Sequence, residues 1–160
     1  MEFEELEYVE REAYSELSII TLAHLLSKMY DEACEKIENS FLRKESIRFV
    51  LAILSKREGI TQNELSKISH LNEGTISVTI ASLENEGFVR KVADRYDHRA
   101  FRIYLTDKGR ELNEERVKYI ESMDLIAKYN TTSGERKHTI YVLKTYVQNL
   151  ITDKSKNEQK

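Results

Sequence analysis

GITQNELSKISHLNEGTISVTIASLENEGFVRKVADRYDHRAFRIYLTDKG, from Gly59 to Gly109, holds two helix starts, a helix stop and an alternating strand within one short segment. Thr61 followed three residues later by Glu64 has the spacing of a capping box, in which each side chain accepts the other residue's backbone N–H. It predicts a short helix with Leu65 and Ile68 on its inner face. Asn72 suits the N-cap of a second helix, in which Ile76, Ile80 and Leu83 recur at i, i+4 and i+7. Gly87 supplies the left-handed stop. Further on, Phe101, Ile103 and Leu105 alternate with Arg102 and Tyr104, the pattern of a strand with one buried face. The order is helix, tight turn, helix, antiparallel β-hairpin.

The side of the second helix away from Ile76, Ile80 and Leu83 presents Gly74, Thr75, Val78, Ala81, Ser82 and Asn85, with Ser77 at its margin. None is charged, in a chain that is 33% charged. A helix face that meets only water is normally rich in Glu and Lys. Small hydroxyl, amide and methyl groups suit close approach to base edges and thymine methyls in a major groove. A protein-covered helix, or an unremarkable surface helix, would carry the same residues. The hairpin from Phe88 to Leu105 holds Arg90, Lys91, Arg95, Arg99 and Arg102 against Asp94 and Asp97, a cationic patch in a chain of net charge −3. Such patches steer a protein onto phosphate. Basic residues also guard edge strands from unwanted pairing, which accounts for Arg90 and Arg102 better than for two arginines at the tip.

The run Asp94-Arg95-Tyr96-Asp97-His98-Arg99-Ala100 followed by Ile103-Tyr104-Leu105-Thr106-Asp107-Lys108-Gly109 resembles the wing signature of the MarR family of transcriptional regulators. Ile60 to Leu65 and Leu83 to Val89 add to the likeness. It implies a winged helix-turn-helix in a homodimer bound to double-stranded DNA. By position, Arg99 would be the arginine that enters the minor groove and Asp97 the carboxylate that orients it. Arg95 would share the wing tip. Thr75, Ser77, Val78 and Ser82 fall where the family contacts DNA. Family members often carry arginines at the positions of Val78 and Ser82, so here the electrostatic share of binding is smaller. In the turn, Ser69 and His70 are candidates for phosphate contact, since backbone contacts fix register.

Outside this segment the chain is helical. The first 12 residues hold six Glu against Arg11, with Leu6, Val9 and Ala13 hinting at helical spacing. From Leu17 to Phe41 a stripe of Ile19, Ala23, Leu26, Tyr30, Ala33, Ile37 and Phe41 predicts one long helix. Lys44 to Lys56 predicts another, with Ile47, Val50, Leu51 and Leu54 inward. Thr106 caps a helix running to about Tyr129, broken by Asn130-Thr131-Thr132-Ser133-Gly134. Thr132 and Glu135 repeat the capping box before a last stripe of Ile140, Leu143, Val147 and Leu150. The expected architecture is mainly α: an N-terminal dimerisation helix region over 1–40, a winged helix-turn-helix with a small antiparallel hairpin wing over 41–106, C-terminal dimerisation helices over 107–152, and a polar, disordered tail over 153–160.

The remaining features narrow the function classes. With no phosphate-cradling glycine loop, nucleophile elbow or paired metal ligands, an enzyme is not expected, and neither a cofactor nor a metal site. His24, His70, His98 and His138 lack metal-ligand spacing. No apolar run reaches the roughly 20 residues of a membrane span, and the single cysteine, Cys34, forms no internal disulfide. A cytoplasmic location is expected. Cys34 is expected to be a packed, inert thiol. The family resemblance also implies a small aromatic or phenolic effector bound between the dimer helices and the reading head, for which Tyr30 and Tyr119 are the candidates. The expected function is a sequence-specific dimeric regulator, a ligand-responsive repressor on a near-palindromic operator. The alternative is a winged-helix module whose neutral face meets another protein.

Overall fold

The computed structural model describes residues 17–97 and 100–157. The acidic start over 1–16, together with His98 and Arg99, lies outside the described residues. Two compact units are present, Met1–Arg116 and Val117–Lys160.

In the first unit, α1 (Ile19–Cys34) opens on Ser18, whose hydroxyl accepts the Thr21 N–H at 3.2 Å. The single long helix expected to Phe41 is interrupted after Cys34. Asn39 accepts the Phe41 N–H at 3.1 Å and starts the short α2 (Ser40–Arg43), while Arg43 Nε donates to Ile37 O at 2.7 Å. A side chain that caps a new helix competes with continuation of the old one. Next come α3 (Glu45–Leu54), β1 (Ile60–Thr61), α4 (Gln62–Ser69), α5 (Glu73–Asn85), β2 (Val89–Ala93) and β3 (Phe101–Leu105). The three strands are antiparallel in the order β1-β3-β2, with Ile60 opposite Ile103 and Val89 opposite Leu105. The hairpin was expected; β1 was not, because two residues carry no period.

One core joins these pieces. Ile47, Val50, Leu51 and Leu54 of α3, Leu65 of α4, Ile76, Ile80 and Leu83 of α5, and Ile60 and Ile103 of the sheet are all essentially inaccessible. Phe41 packs edge-on against Phe88 with ring centres 5.2 Å apart. Ile68 departs from the expected inner face of α4 and is 44% exposed; Phe101, at the far end of β3, is also exposed. At the foot of the hairpin, Thr106 donates its hydroxyl to Gly87 O at 2.6 Å and accepts the Gly109 N–H at 3.0 Å. A Cβ on Gly109 would stand 1.9 Å from Phe88 O, so only glycine lets α6 (Asp107–Ala127) start this close to β2.

Arg48 is the unexpected member of the core. It is 4% exposed, stacks 5.1 Å over the Tyr30 ring, pairs with Asp31, and donates through Nη1 to Leu42 O at 3.0 Å and Arg43 O at 2.6 Å. The guanidinium thereby satisfies the last carbonyls of α2 and ties α1 to α3.

In the second unit, Asn130 takes a positive φ of 59° at the expected break. The Thr132–Glu135 capping box forms as expected, with Thr132 N–H to Glu135 Oε2 at 2.7 Å and Glu135 N–H to Thr132 Oγ1 at 3.2 Å. It starts α7 (Ser133–Asn157). Over 153–157 that helix replaces part of the expected disordered tail, and 158–160 lie outside the described residues. Polar composition did not stop it, because a helix already nucleated adds one hydrogen bond for each further residue.

Candidate nucleic-acid interface

The helix-turn-helix is built by its caps and its core. Thr61 and Glu64 close the capping box of α4, with Thr61 N–H to Glu64 Oε2 at 2.8 Å and Glu64 N–H to Thr61 Oγ1 at 3.2 Å. The Thr61 N–H, and after it the Thr61 hydroxyl, which donates to the same Glu64 Oε2 at 3.2 Å, hold the Glu64 carboxyl below its usual range. His70 ends α4 in the left-handed region, at φ 56°. The turn is pinned by Ser66 Oγ donating to Leu71 O at 2.7 Å and Leu71 N–H donating to Ser69 Oγ at 3.2 Å. Ser69, expected as a candidate phosphate contact, is 8% exposed, and its hydroxyl is engaged in shaping the turn. His70 is exposed.

Asn72 caps α5 by accepting the Thr75 N–H at 2.8 Å. Thr79 is buried and donates to Ser46 Oγ at 3.0 Å, which sets the rotation of α5 on α3. With Ile76, Ile80 and Leu83 locked inward, Gly74, Ser77, Val78, Ala81 and Asn85 are exposed, and Thr75 and Ser82 are half-buried at the edges of that face. Val78 is 72% exposed. Glu84 is drawn to the side by Lys91 at 2.7 Å. The outward surface of α5 is therefore neutral and low, with one apolar side chain standing above its neighbours.

The hairpin's cations divide into two sets. Arg90 stacks 4.8 Å over the Tyr104 ring, Lys91 holds Glu84, and Arg102 pairs with Asp94 while donating to Gly59 O at 2.6 Å. These three brace the sheet. Arg95, Tyr96 and Asp97 are exposed at the tip, Tyr96 by 95%. The tip is organised by Asp94, a residue singled out only as part of the wing signature. It is 5% exposed and accepts the Tyr96 N–H at 2.7 Å and the Asp97 N–H at 3.0 Å. Those two backbone bonds, ahead of Arg102, hold its carboxyl below the ordinary range. Its signal in the sequence was an Asp two residues before a tip, the spacing of an Asx turn. Arg99 lies outside the described residues, so the Asp97–Arg99 pairing stays an expectation.

Of the effector candidates, Tyr30 belongs to the first unit and Tyr119 to the second; both are half-buried. Burial, reinforced by a hydrogen bond with Cys34, pushes the Tyr30 phenol up to about 12. Burial likewise pushes up the Cys34 thiol, with Arg48 acting in the opposite sense. One groove runs beside the wing, lined by Gln62, Asn63, Lys67 and Phe101 among others, and a second runs along α1 from His24 to Glu35. Neither is lined by Tyr30 or Tyr119. Among the described residues no group of three or more His, Cys, Asp or Glu is placed to hold a metal ion, and no helix is long and apolar enough to cross a membrane.

Residues 48–101 match the model of the MarR family. The HTH-type transcriptional regulator BilQ of Clostridioides difficile is 29% identical over 87 residues, which make up 54% of this chain and 59% of BilQ. The chain spans less than two thirds of the length of the curated relatives it matches. Among solved structures, the transcriptional regulator SlyA superposes with a TM-score of 0.76 at 19% identity, over 86% of this chain and 96% of SlyA. BpsR of Bordetella bronchiseptica superposes with a TM-score of 0.64 at 23% identity, over 79% of this chain and 98% of BpsR. These structural likenesses carry the fold.

Proposed function

Because the chain belongs to the MarR family of transcriptional regulators, we propose that it acts as a homodimer that lays α5 of each subunit in a major groove and a wing tip in the neighbouring minor groove. The observation that carries this reading is the neutral outward face of α5, with Thr75, Ser77, Val78 and Ser82 turned away from a fully buried Ile76-Ile80-Leu83 stripe. Thr75, Ser77 and Ser82 hydrogen-bond base edges; His70 and Arg95 take phosphate; Arg99, steadied by Asp97, takes the minor groove.

Exposed apolar side chains support the dimer. Ile20, Leu26 and Met29 on α1, and Ile140, Val147 and Leu150 on α7, are each more than half exposed. Such faces on one chain are what a twofold interface buries. The two α5 helices then fit half-sites roughly 34–36 Å apart on a near-palindromic operator. The BpsR structure concerns regulation of that protein's DNA binding by 6-hydroxynicotinic acid. In this chain we assign the same kind of control to a small aromatic or phenolic effector. It acts by favouring a dimer geometry in which the heads no longer match the groove spacing, with repression as the outcome in its absence.

A salt titration on duplex DNA from the gene's own upstream region tests the core of this. Log K should fall linearly with log salt at about 0.9 per neutralised phosphate. A chain that ignores the duplex at low ionic strength, yet retains a protein partner, would instead be the interaction module that its neutral recognition face also suits.

A further inference from the structure

Val78 is more exposed than any other large aliphatic side chain described in the first unit, and it stands at the middle of α5. Its neighbours one turn away are Gly74, Thr75, Ala81 and Ser82, all small, so nothing on the helix covers its methyl groups. The flanking acid Glu84 is held aside by Lys91. Thr79, the next residue, is fixed to Ser46, so the helix cannot roll to hide Val78 without breaking a buried hydrogen bond.

We propose that Val78 determines base specificity by packing on the C5-methyl group of a thymine, so that each operator half-site carries an obligatory thymine opposite the centre of α5. This rests on the reading of α5 as the major-groove helix and adds which base it selects. The chemistry leaves one choice. Valine neither donates nor accepts a hydrogen bond. Pressed against the N7 and O6 of guanine, the N7 and N6 amine of adenine or the N4 amine of cytosine, it would strip water from a polar atom and return nothing, a penalty of about tenfold or more in affinity. The thymine methyl is the one apolar group on the major-groove edge of the bases. The small residues around Val78 let the backbone come close enough for that contact, and the absence of a charged side chain on this face leaves no stronger reader to override it.

The test begins by enriching duplexes from a randomised pool with the full chain at low salt. Each thymine of the selected site is then replaced, one at a time, by deoxyuridine, which differs only in lacking the methyl. One position per half-site should lose about fourfold when substituted, the value of burying one methyl group. Val78→Ala, which alters an exposed side chain and leaves the core intact, should bind the thymine and uracil duplexes equally. If the wild-type chain is indifferent to uracil at every position of a duplex it binds specifically, or if Val78→Ala keeps the discrimination, the assignment to Val78 is overturned while the DNA-reading role stands. If no duplex is enriched, both fall together.

Discussion

Asp94 accepts the backbone N–H groups of Tyr96 and Asp97 while it pairs with Arg102, and Arg102 in turn donates to Gly59 O, so one carboxylate links the wing tip to the loop before α4. Asp94→Asn keeps an acceptor for the turn but removes the charge that holds Arg102. It should weaken binding to operator DNA severalfold in fluorescence anisotropy, with the helical circular dichroism unchanged. Because the folded carboxyl sits below its ordinary range, its contribution is present at pH above about 4 and is lost as pH falls through the folded value. The protection factors of the Tyr96 and Asp97 amides, intrinsic pH-dependent exchange rates divided by the observed ones, should fall on that side and stay constant between pH 5 and 7. Tyr30 and Cys34 act at the other extreme. Burial raises both, so their neutral forms favour the folded chain below about pH 8.5, where the unfolded thiol begins to ionise. That advantage is lost as pH rises through the folded values, with Tyr30 at about 12 the last to titrate. Tyr30→Phe should flatten the fall in urea midpoint above pH 10. Asp94 carried the spacing of an Asx turn in the sequence, but Arg48 did not announce its role. An Arg one place after Ile47 reads as a solvated flank, and only the carbonyls of α2, brought beneath α3 by the break after Cys34, make its burial favourable.

Elements whose signals are local were legible. The caps at Thr61, Asn72 and Thr132 formed with the bonds their spacing implied, and the 3.6-residue stripes of α3 and α5 became the core. Thr61→Ala removes a hydroxyl that accepts the Glu64 N–H and should cost about 1 kcal/mol in chemical denaturation. Where two elements compete for one residue the sequence misleads. Asn39 lies inside an unbroken apolar stripe, yet its capping bond to Phe41 ends the run. Ile68 lies three residues after Leu65 at the last turn of α4 and stays exposed. The third strand is two residues long, held because Gly59 N–H donates to Ile103 O at 2.8 Å and because Ile60 faces Ile103. Pairing at that sequence distance leaves no periodic trace.

Among the described residues, several large apolar side chains of α1 and α7 stand exposed, as the proposed dimer requires. Leu26 and Leu150 are each 61% exposed, and Tyr141 67%. An exposed leucine exchanged for lysine costs a monomer little, whereas the same charge at the centre of a twofold interface is met by its own copy. Leu150→Lys should therefore leave the thermal melt of the first unit intact while shifting sedimentation from dimer to monomer, and operator affinity should fall because the second half-site is lost. Unchanged sedimentation would contradict the proposed interface on α7. All of this depends on which surface of α5 meets DNA. The direct measurement is operator binding by Val78→Glu, followed by anisotropy beside a melting curve. A carboxylate at the middle of that face, driven towards phosphate and base edges, should abolish detectable binding while the melting temperature stays at the wild-type value. Wild-type affinity in this variant would contradict the assignment of α5 as the helix that enters the groove.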